Sequence, residues 1–127
     1  MEAKVIYTPD FINELQPNEV FVFGSNIEGL HHGGAARIAF EKFGAKWGEG
    51  VGLFGKSYAI PTMGEGVESI RTFVDNFIRF AKDNPTITFL VTPIGCGIAG
   101  YTPKKIAPLF EKAKNITNII LPKSFNY

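Results

Sequence analysis

The 127-residue chain has the size of one ordinary domain, and 45% of its residues are hydrophobic. Its formal charge of +1 gives no electrostatic reason to expect sequence-specific nucleic-acid binding, although backbone N–H groups can bind small anions without any net charge. The single cysteine excludes an internal disulfide, and we expect neither a metal nor a cofactor. We expect one domain over residues 1–127 in a cytoplasmic protein without membrane contact, because no signal-peptide pattern or long apolar run is present.

The first half of the chain alternates short apolar runs with glycine-rich stretches. Residues 5–7 predict an edge strand, and residues 20–23 predict a second strand that is apolar throughout and therefore buried on both faces. Apolar residues between 34 and 43 have the spacing of a helix. Residues 48–55 hold four glycines and predict a loop.

The second half continues the alternation of strands and helices. Residues 58–60, 87–91 and 116–121 predict strands, and the apolar face of residues 67–82 predicts the clearest helix in the chain. A further helix begins at Pro103 and carries its apolar face on Ile106, Leu109, Phe110 and Ala113. This alternation predicts an α/β protein in which a mixed, mostly parallel sheet lies between helices in three layers.

Two glycine-rich loops are the candidate binding elements, because each follows a buried strand and leads into a helix. The first loop spans Gly24 to Gly34, and the second spans Gly95 to Tyr101. Ligands of open α/β sheets bind beyond the carboxyl ends of the strands, where glycine lets several backbone N–H groups approach an anion. The alternative is that these glycines only form tight turns.

A third glycine-rich segment, Gly50 to Ser57, matches the P-loop spacing G-x-x-x-x-G-K-[ST]. A P-loop requires a strand before the motif and a helix that starts at its Lys-Ser pair. Here a helix end and a loop precede the motif, and a strand-like run that ends at Pro61 follows it. The context therefore argues against a P-loop.

Three further side chains in the loops could act as ligands or transfer protons, namely His31, His32 and Cys96. His31 and His32 are adjacent, so they cannot form a metal site without more ligands, and they are either a polar loop tip or contacts to a ligand. Cys96 lies in the second loop, where helix dipoles could lower its pKa, but a packing role is the better interpretation.

In chain order, these segments resemble the macrodomain family. Phe23 to Asn26 followed by Gly33 to Ala36 resembles the family's Asn-rich and glycine-rich segment, and Pro93 to Tyr101 resembles its phosphate-binding loop. The Ile-Gly-Cys-Gly core at residues 94–97 is similar to the terminal ADP-ribose protein glycohydrolase branch, and Ser57 to Thr62 resembles small bacterial and phage macrodomain-like proteins. The resemblance implies a macrodomain-like three-layer fold with ADP-ribose in a cleft.

The resemblance also implies roles for individual residues. Asp10 would accept the adenine amino group and Phe11 would give a backbone contact beside it, although Asp10 could also be a turn or cap residue. Asn26 would face the distal ribose, and Phe125 would stack on adenine. The remaining predicted ligand contacts lie in the two loops: Gly33, Gly34, Ala35, Gly95, Cys96, Gly97, Ile98, Ala99, Gly100 and Tyr101.

Departures from the family pattern bear on catalysis. The glycohydrolase branch has an aspartate where this chain has Ala99, and a lysine where it has Thr62 or Met63. Methionine and alanine can neither attack a sugar carbon nor transfer a proton. Ala99 also replaces an aromatic residue of many members, which leaves room at the distal end of the ligand.

The leading hypothesis is therefore binding of ADP-ribose, an ADP-ribosylated macromolecule or another NAD-derived nucleotide. The alternative is an ADP-ribosyl hydrolase acting on protein, nucleic acid or a small molecule, with His31, His32 and Asn26 as candidate catalytic residues. A third reading is an interaction domain that has lost its ligand, for which a cleft blocked by Phe54 or Tyr101 would be the sign.

Overall fold

The computed structural model describes residues 6–31, 33–64, 66–96 and 99–125. The helices and strands follow one another along the chain as β1 (Glu19–Ser25), α1 (Gly34–Lys42), β2 (Gly52–Phe54), β3 (Ser57–Pro61), α2 (Glu68–Asp83), β4 (Thr88–Val91), α3 (Pro103–Ile106) and β5 (Ile119–Ile120). Two 3₁₀ helices, Ala107–Asn115 and Lys123–Phe125, complete these elements.

The strands form one five-stranded mixed sheet in the order β2-β3-β1-β4-β5. Strand β1 is central and pairs in parallel with β3 on one side and β4 on the other, so that Val22 lies opposite both Tyr58 and Val91. Strand β5 pairs in parallel with β4, and only β2 is antiparallel to its neighbour. The carboxyl ends of β3, β1 and β4 therefore meet at the same edge of the sheet.

Both faces of β1 are buried, as its apolar sequence predicts. Because successive side chains of a strand point to opposite faces, Val20 and Val22 enter one hydrophobic cluster while Phe21 and Phe23 enter another. This division separates the two faces of the sheet.

Helices cover the two faces of the sheet and complete three layers. On one face α1 contributes Ala39, which packs in the cluster of Phe21 and Phe23. On the other face α2 packs with the segment that follows Pro103, and the buried side chains are Ile70, Val74, Phe77, Ile78, Ala81, Ile106, Leu109, Phe110 and Ala113. The predicted α/β fold with a mostly parallel sheet between helices is confirmed.

Three predictions of local structure need correction. Residues 6 and 7 of the predicted strand 5–7 are not in a strand, and residue 5 lies outside the described residues. The neighbouring Thr8 binds β5 and the residue after it, since its hydroxyl donates to the Ile120 carbonyl (3.0 Å) and its N–H donates to the Leu121 carbonyl (2.9 Å). The predicted loop 48–55 contains β2. The last long helix becomes a 3₁₀ helix from Ala107, since Pro108 lacks the N–H that an α-helix would use there.

The helices of the described residues are short compared with a bilayer. The longest, α2, has 16 residues, and no described helix is both long and apolar enough to span a membrane.

Candidate functional site

An open cleft lies where the carboxyl ends of β1, β3 and β4 meet, and its volume is about 280 Å³. Strand β1 contributes its last residues and the loop that follows, β3 contributes Thr62 and Met63, and β4 contributes the segment from Thr92 to Gly95. Neighbouring strands are about 4.8 Å apart, so the cleft spans roughly two strand spacings. This is the edge at which open α/β sheets bind ligands.

The N-terminus of α1 opens into this cleft. Gly33, Gly34, Ala35 and Ala36 all line it. The N–H of Arg37 donates to the Gly33 carbonyl (3.3 Å), which leaves the N–H groups of residues 34–36 without acceptors inside the helix. Among the described residues no side chain caps this end, and its first turn holds no acidic residue, so no described side chain offsets its positive partial charge.

Hydroxyl groups line the cleft but are committed to the backbone. Ser25 donates to the Gly50 carbonyl, Thr92 donates to the Val22 carbonyl (2.8 Å), and Thr62 donates to the Ser25 carbonyl (3.3 Å). These bonds tie the ends of β3, β1 and β4 together. The cleft is therefore built on rigid strand ends, and its hydroxyl oxygens still have lone pairs with which to accept hydrogen bonds.

Asn26 lines the cleft, as the sequence predicts, and it also shapes the first loop. Its Nδ2 donates to the Leu30 carbonyl (2.9 Å), and its Oδ1 accepts the Leu30 N–H (2.8 Å). An asparagine amide has two N–H donors and two acceptor lone pairs. The bonds between described residues thus leave one donor and one lone pair of Asn26 for a ligand.

The second glycine-rich loop borders the cleft through Gly95 and Ala99. The Tyr101 N–H donates to the Gly95 carbonyl (2.7 Å) and closes the loop, while the Tyr101 side chain packs against the core. Gly100 is exposed and does not line the cleft. The predicted contacts of Gly97 and Ile98 lie outside the described residues.

Cys96 does not line the cleft and is half-buried against the core. Burial raises the pKa of its thiol, which is the opposite of the shift that a nearby helix dipole would cause. The packing interpretation of Cys96 therefore stands, and its predicted ligand contact has no support.

His31 is a core residue, which corrects its proposed catalytic role. Only 1% of it is exposed, and its ring contacts those of Phe23, Phe40 and Trp47 at centroid distances of 5.5 to 6.2 Å. Its Nε2 is 2.9 Å from the Lys46 carbonyl oxygen, and its buried Nδ1 has no hydrogen-bond partner within the part of the chain that the structure describes. A group that is closed off from the cleft cannot transfer protons there. The other candidate, His32, lies outside the described residues.

The predicted adenine contacts do not lie in the cleft. Phe125 is 1% exposed and its ring stacks on Phe110 at 5.4 Å, so the core covers the face that adenine would need. The structure therefore gives no support to stacking on adenine in the cleft, and Phe125 instead borders a second, smaller pocket of about 200 Å³. Asp10 is exposed and Phe11 is 88% exposed, but neither lines the cleft, and their contact with adenine stays a prediction.

Several lining residues were not predicted from the sequence, among them Leu30, Met63 and Thr92. Leu30 lies within the first glycine-rich loop, whereas Met63 and Thr92 lie outside both glycine-rich loops. These two share a position in the fold, since Thr62 to Met63 and Thr92 to Ile94 directly follow the two strands that flank β1. Only the pairing order reveals that they meet.

The P-loop match is not a phosphate site. Ser57 begins β3 rather than a helix, and its hydroxyl donates to the Phe54 carbonyl (2.8 Å). Lys56 is turned to the backbone, where Nζ donates to the carbonyls of Gln16 (2.8 Å) and Leu15 (3.3 Å). The argument from context against a P-loop is confirmed.

The cleft lining carries no titratable side chain among the residues that the structure describes. In the same part of the chain, no group of three or more His, Cys, Asp or Glu side chains could hold a metal ion. Neither Phe54 nor Tyr101 lines the cleft, so the blocked cleft expected of an interaction domain that has lost its ligand is not observed.

No family model, curated protein or solved structure matches the chain.

Proposed function

We propose that this protein binds ADP-ribose or a related NAD-derived nucleotide in the cleft, as a macrodomain-like binding module. The observation that carries the proposal is the N-terminus of α1, which opens into the cleft with no acidic residue in its first turn. A helix N-terminus of this kind favours phosphate, because its N–H groups and its partial positive charge act together.

The neutral lining supports a diphosphate as the bound group. The lining residues that the structure describes include no carboxylate to repel an anion and no lysine or arginine to attract one. An anion there would be held by backbone N–H groups, which suits a chain with a net charge of +1. Asn26 offers a donor and an acceptor beside this group, as a ribose with adjacent hydroxyls requires.

The size of the cleft indicates which part of the nucleotide it takes. Its volume of about 280 Å³ is at the small end for ligand pockets, which hold roughly 300–1,000 Å³. We therefore assign the diphosphate and the distal ribose to the cleft and the adenosine to the surface beside it. Phe11, whose ring is exposed, stays the predicted contact for the adenine base.

Binding is favoured over hydrolysis by the lack of a proton-transfer group. General acid–base catalysis of glycosidic-bond cleavage by the protein requires a titratable side chain near the bond that is broken. No such side chain lines the cleft among the described residues, and His31 is buried. Met63 and Ala99 border the cleft at the positions that correspond to the lysine and the aspartate of the glycohydrolase branch. A turnover assay with ADP-ribosylated protein separates the two functions, and we expect no release of ADP-ribose.

Isothermal titration calorimetry with ADP-ribose tests the proposal directly, with AMP and ATP as controls. We expect ADP-ribose to bind more tightly than AMP, which lacks the diphosphate and the distal ribose. ATP shares the polyphosphate but not the distal ribose, so equal affinity for ATP and ADP-ribose would contradict the assigned pose. Failure of ADP-ribose and of its close NAD-derived analogues to bind would overturn the proposal.

A further inference from the structure

A five-residue segment, Lys46 to Gly50, lies against the loop that borders the cleft, residues 25–31. We call the first the brace and the second the cleft loop. The cleft loop is held at both ends and in the middle: Ser25 Oγ donates to the Gly50 carbonyl, the Gly48 N–H donates to the Gly29 carbonyl (2.9 Å), and His31 Nε2 is 2.9 Å from the Lys46 carbonyl oxygen.

The two backbones approach so closely that neither leaves room for a side chain. A Cβ added to Gly50 would lie 1.9 Å from the Asn26 carbonyl oxygen. A Cβ added to Gly29 would lie 2.2 Å from the Glu49 nitrogen, and the φ of +72° at Gly29 also favours glycine. Contacts under 3.0 Å with backbone atoms force the backbone to move, so the surface of the brace determines the path of the cleft loop.

The brace is itself anchored to the core. Trp47 packs edge-on against Phe40 of α1 (5.4 Å between ring centroids) and against the buried His31 (6.1 Å). Just before the brace, the Ala45 N–H donates to the Ala39 carbonyl at the C-terminal half of α1 (3.1 Å). The brace thus connects one end of α1 with the loop that leads into its other end.

We propose that Gly50 is a positioning residue for the binding cleft. Its contact with Asn26 holds the cleft loop in the shape in which Asn26 and Leu30 bind each other and line the cleft. Gly50 does not line the cleft and acts on a ligand through the lining residues that it touches, Asn26 and Ser25. The nature of the ligand in this inference rests on the proposed function, whereas the coupling of Gly50 to the cleft loop does not.

The test compares Gly50→Ala with Gly52→Ala. Gly52 has a φ of +94° and no neighbour within 4 Å of an added Cβ, so its alanine variant is strained without touching the cleft loop. Gly50 does not have a positive φ, so alanine at position 50 does not cause this backbone strain. Any general loss of stability from such strain should therefore be larger in Gly52→Ala than in Gly50→Ala. Two readouts are taken: the affinity for ADP-ribose by calorimetry, and the hydrogen-exchange rate of the Leu30 amide relative to amides of β1.

In Gly50→Ala we expect the affinity for ADP-ribose to fall by about tenfold or more, the effect of losing a hydrogen bond at Asn26. We also expect exchange of the Leu30 N–H, which Asn26 Oδ1 accepts, to accelerate while the amides of β1 keep their rates. In Gly52→Ala neither quantity should change apart from a uniform loss of protection.

Equal behaviour of the two variants in both readouts would overturn the inference. If the wild-type protein does not bind ADP-ribose but Leu30 exchange responds to Gly50→Ala alone, the proposed function fails and the positioning role stands. If Gly50→Ala does not fold, His31→Phe provides the second test. It removes the contact with Lys46 while keeping an aromatic ring, and selective acceleration of Leu30 exchange is again required.

Discussion

Asn26 and Leu30 bind each other twice across the first loop of the cleft. The Asn26 amide donates to the Leu30 carbonyl at 2.9 Å and accepts the Leu30 N–H at 2.8 Å. One side chain therefore both fixes the loop and borders the space where a ligand would lie. We therefore expect substitution of Asn26 to change both the stability of the loop and the affinity for a ligand in the cleft.

Replacing Asn26 tests whether the ligand is anionic. Asn26→Ala removes both bonds to Leu30, and we expect a loss of about 1 kcal/mol in the free energy of unfolding together with weaker ADP-ribose binding. Asn26→Asp keeps an acceptor for the Leu30 N–H but adds a negative charge beside the cleft. Affinity measured by calorimetry should therefore fall in the order wild type, Ala, Asp. An Asp variant that binds as tightly as the wild type would contradict an anionic ligand.

The main elements of this fold were predictable because their sequence signals are strong. Strand β1 is an uninterrupted apolar run, and α2 carries apolar residues such as Val74 and Ala81 at helical spacing. Strand β2 was missed because Gly52 to Phe54 is short, lies between glycines and forms only by pairing with β3. The change from α-helix to 3₁₀ helix depends on Pro108, which lacks a backbone N–H, and the apolar spacing of the segment does not show this effect.

The candidate site was predictable only in part. Gly33, Gly34 and Ala35 were predictable because they belong to a glycine-rich loop after a buried strand, and Asn26 was predictable from the resemblance to the macrodomain segment. Thr62 and Thr92 were missed because they meet only when β3 and β4 pair on opposite sides of β1. The burial of His31 could not be predicted for a related reason, since it depends on contact with the Trp47 ring, 16 residues away in the chain.

A negative charge introduced at the N-terminus of α1 should have opposite effects on stability and on binding. Ala35 lies in the first turn and lines the cleft. Ala35→Asp places a carboxylate where the helix favours negative charge, so the free energy of unfolding should rise by about 0.5 kcal/mol. The same charge should lower the affinity for ADP-ribose by about tenfold to a hundredfold.

Ala35→Asn is the matched control, because it adds nearly the same volume without a charge. We expect it to retain clearly more affinity than the Asp variant, and we expect the difference between the two to shrink as salt is added. Chemical denaturation and calorimetry at two ionic strengths provide the measurements. If both variants lose the same affinity at every salt concentration, the N-terminus of α1 does not act through its charge.

Phe125 should affect stability but not binding. Its ring is buried against Phe110, so Phe125→Leu should cost about 1 kcal/mol in the free energy of unfolding, and Phe125→Ala about 3–5 kcal/mol. The milder Leu variant stays folded and should bind ADP-ribose within about twofold of the wild type. A large loss of affinity in a folded Leu variant would restore the adenine-stacking role that the sequence suggests.

The stability of the protein should decline at alkaline pH through two buried groups. Burial raises the pKa of the Cys96 thiol and of the Tyr58 phenol, so the folded state holds both protons more strongly than the unfolded state does. Their contributions are complete below the ordinary pKa values, about 8.5 for cysteine and about 10 for tyrosine, and are lost as the pH rises through the raised values. The free energy of unfolding should therefore begin to fall near pH 8.5 and fall further above about pH 10.

Two variants separate these contributions. Cys96→Ala should remove the earlier part of the decline, and Tyr58→Phe, which keeps the ring contacts with Phe77 and Phe80, should remove the later part. Urea unfolding at a series of pH values measures both effects. If the Tyr58→Phe curve keeps the wild-type slope above about pH 10, the phenol is not the group that titrates there. Because neither side chain lines the cleft, ADP-ribose affinity at neutral pH should be the same in both variants and in the wild type.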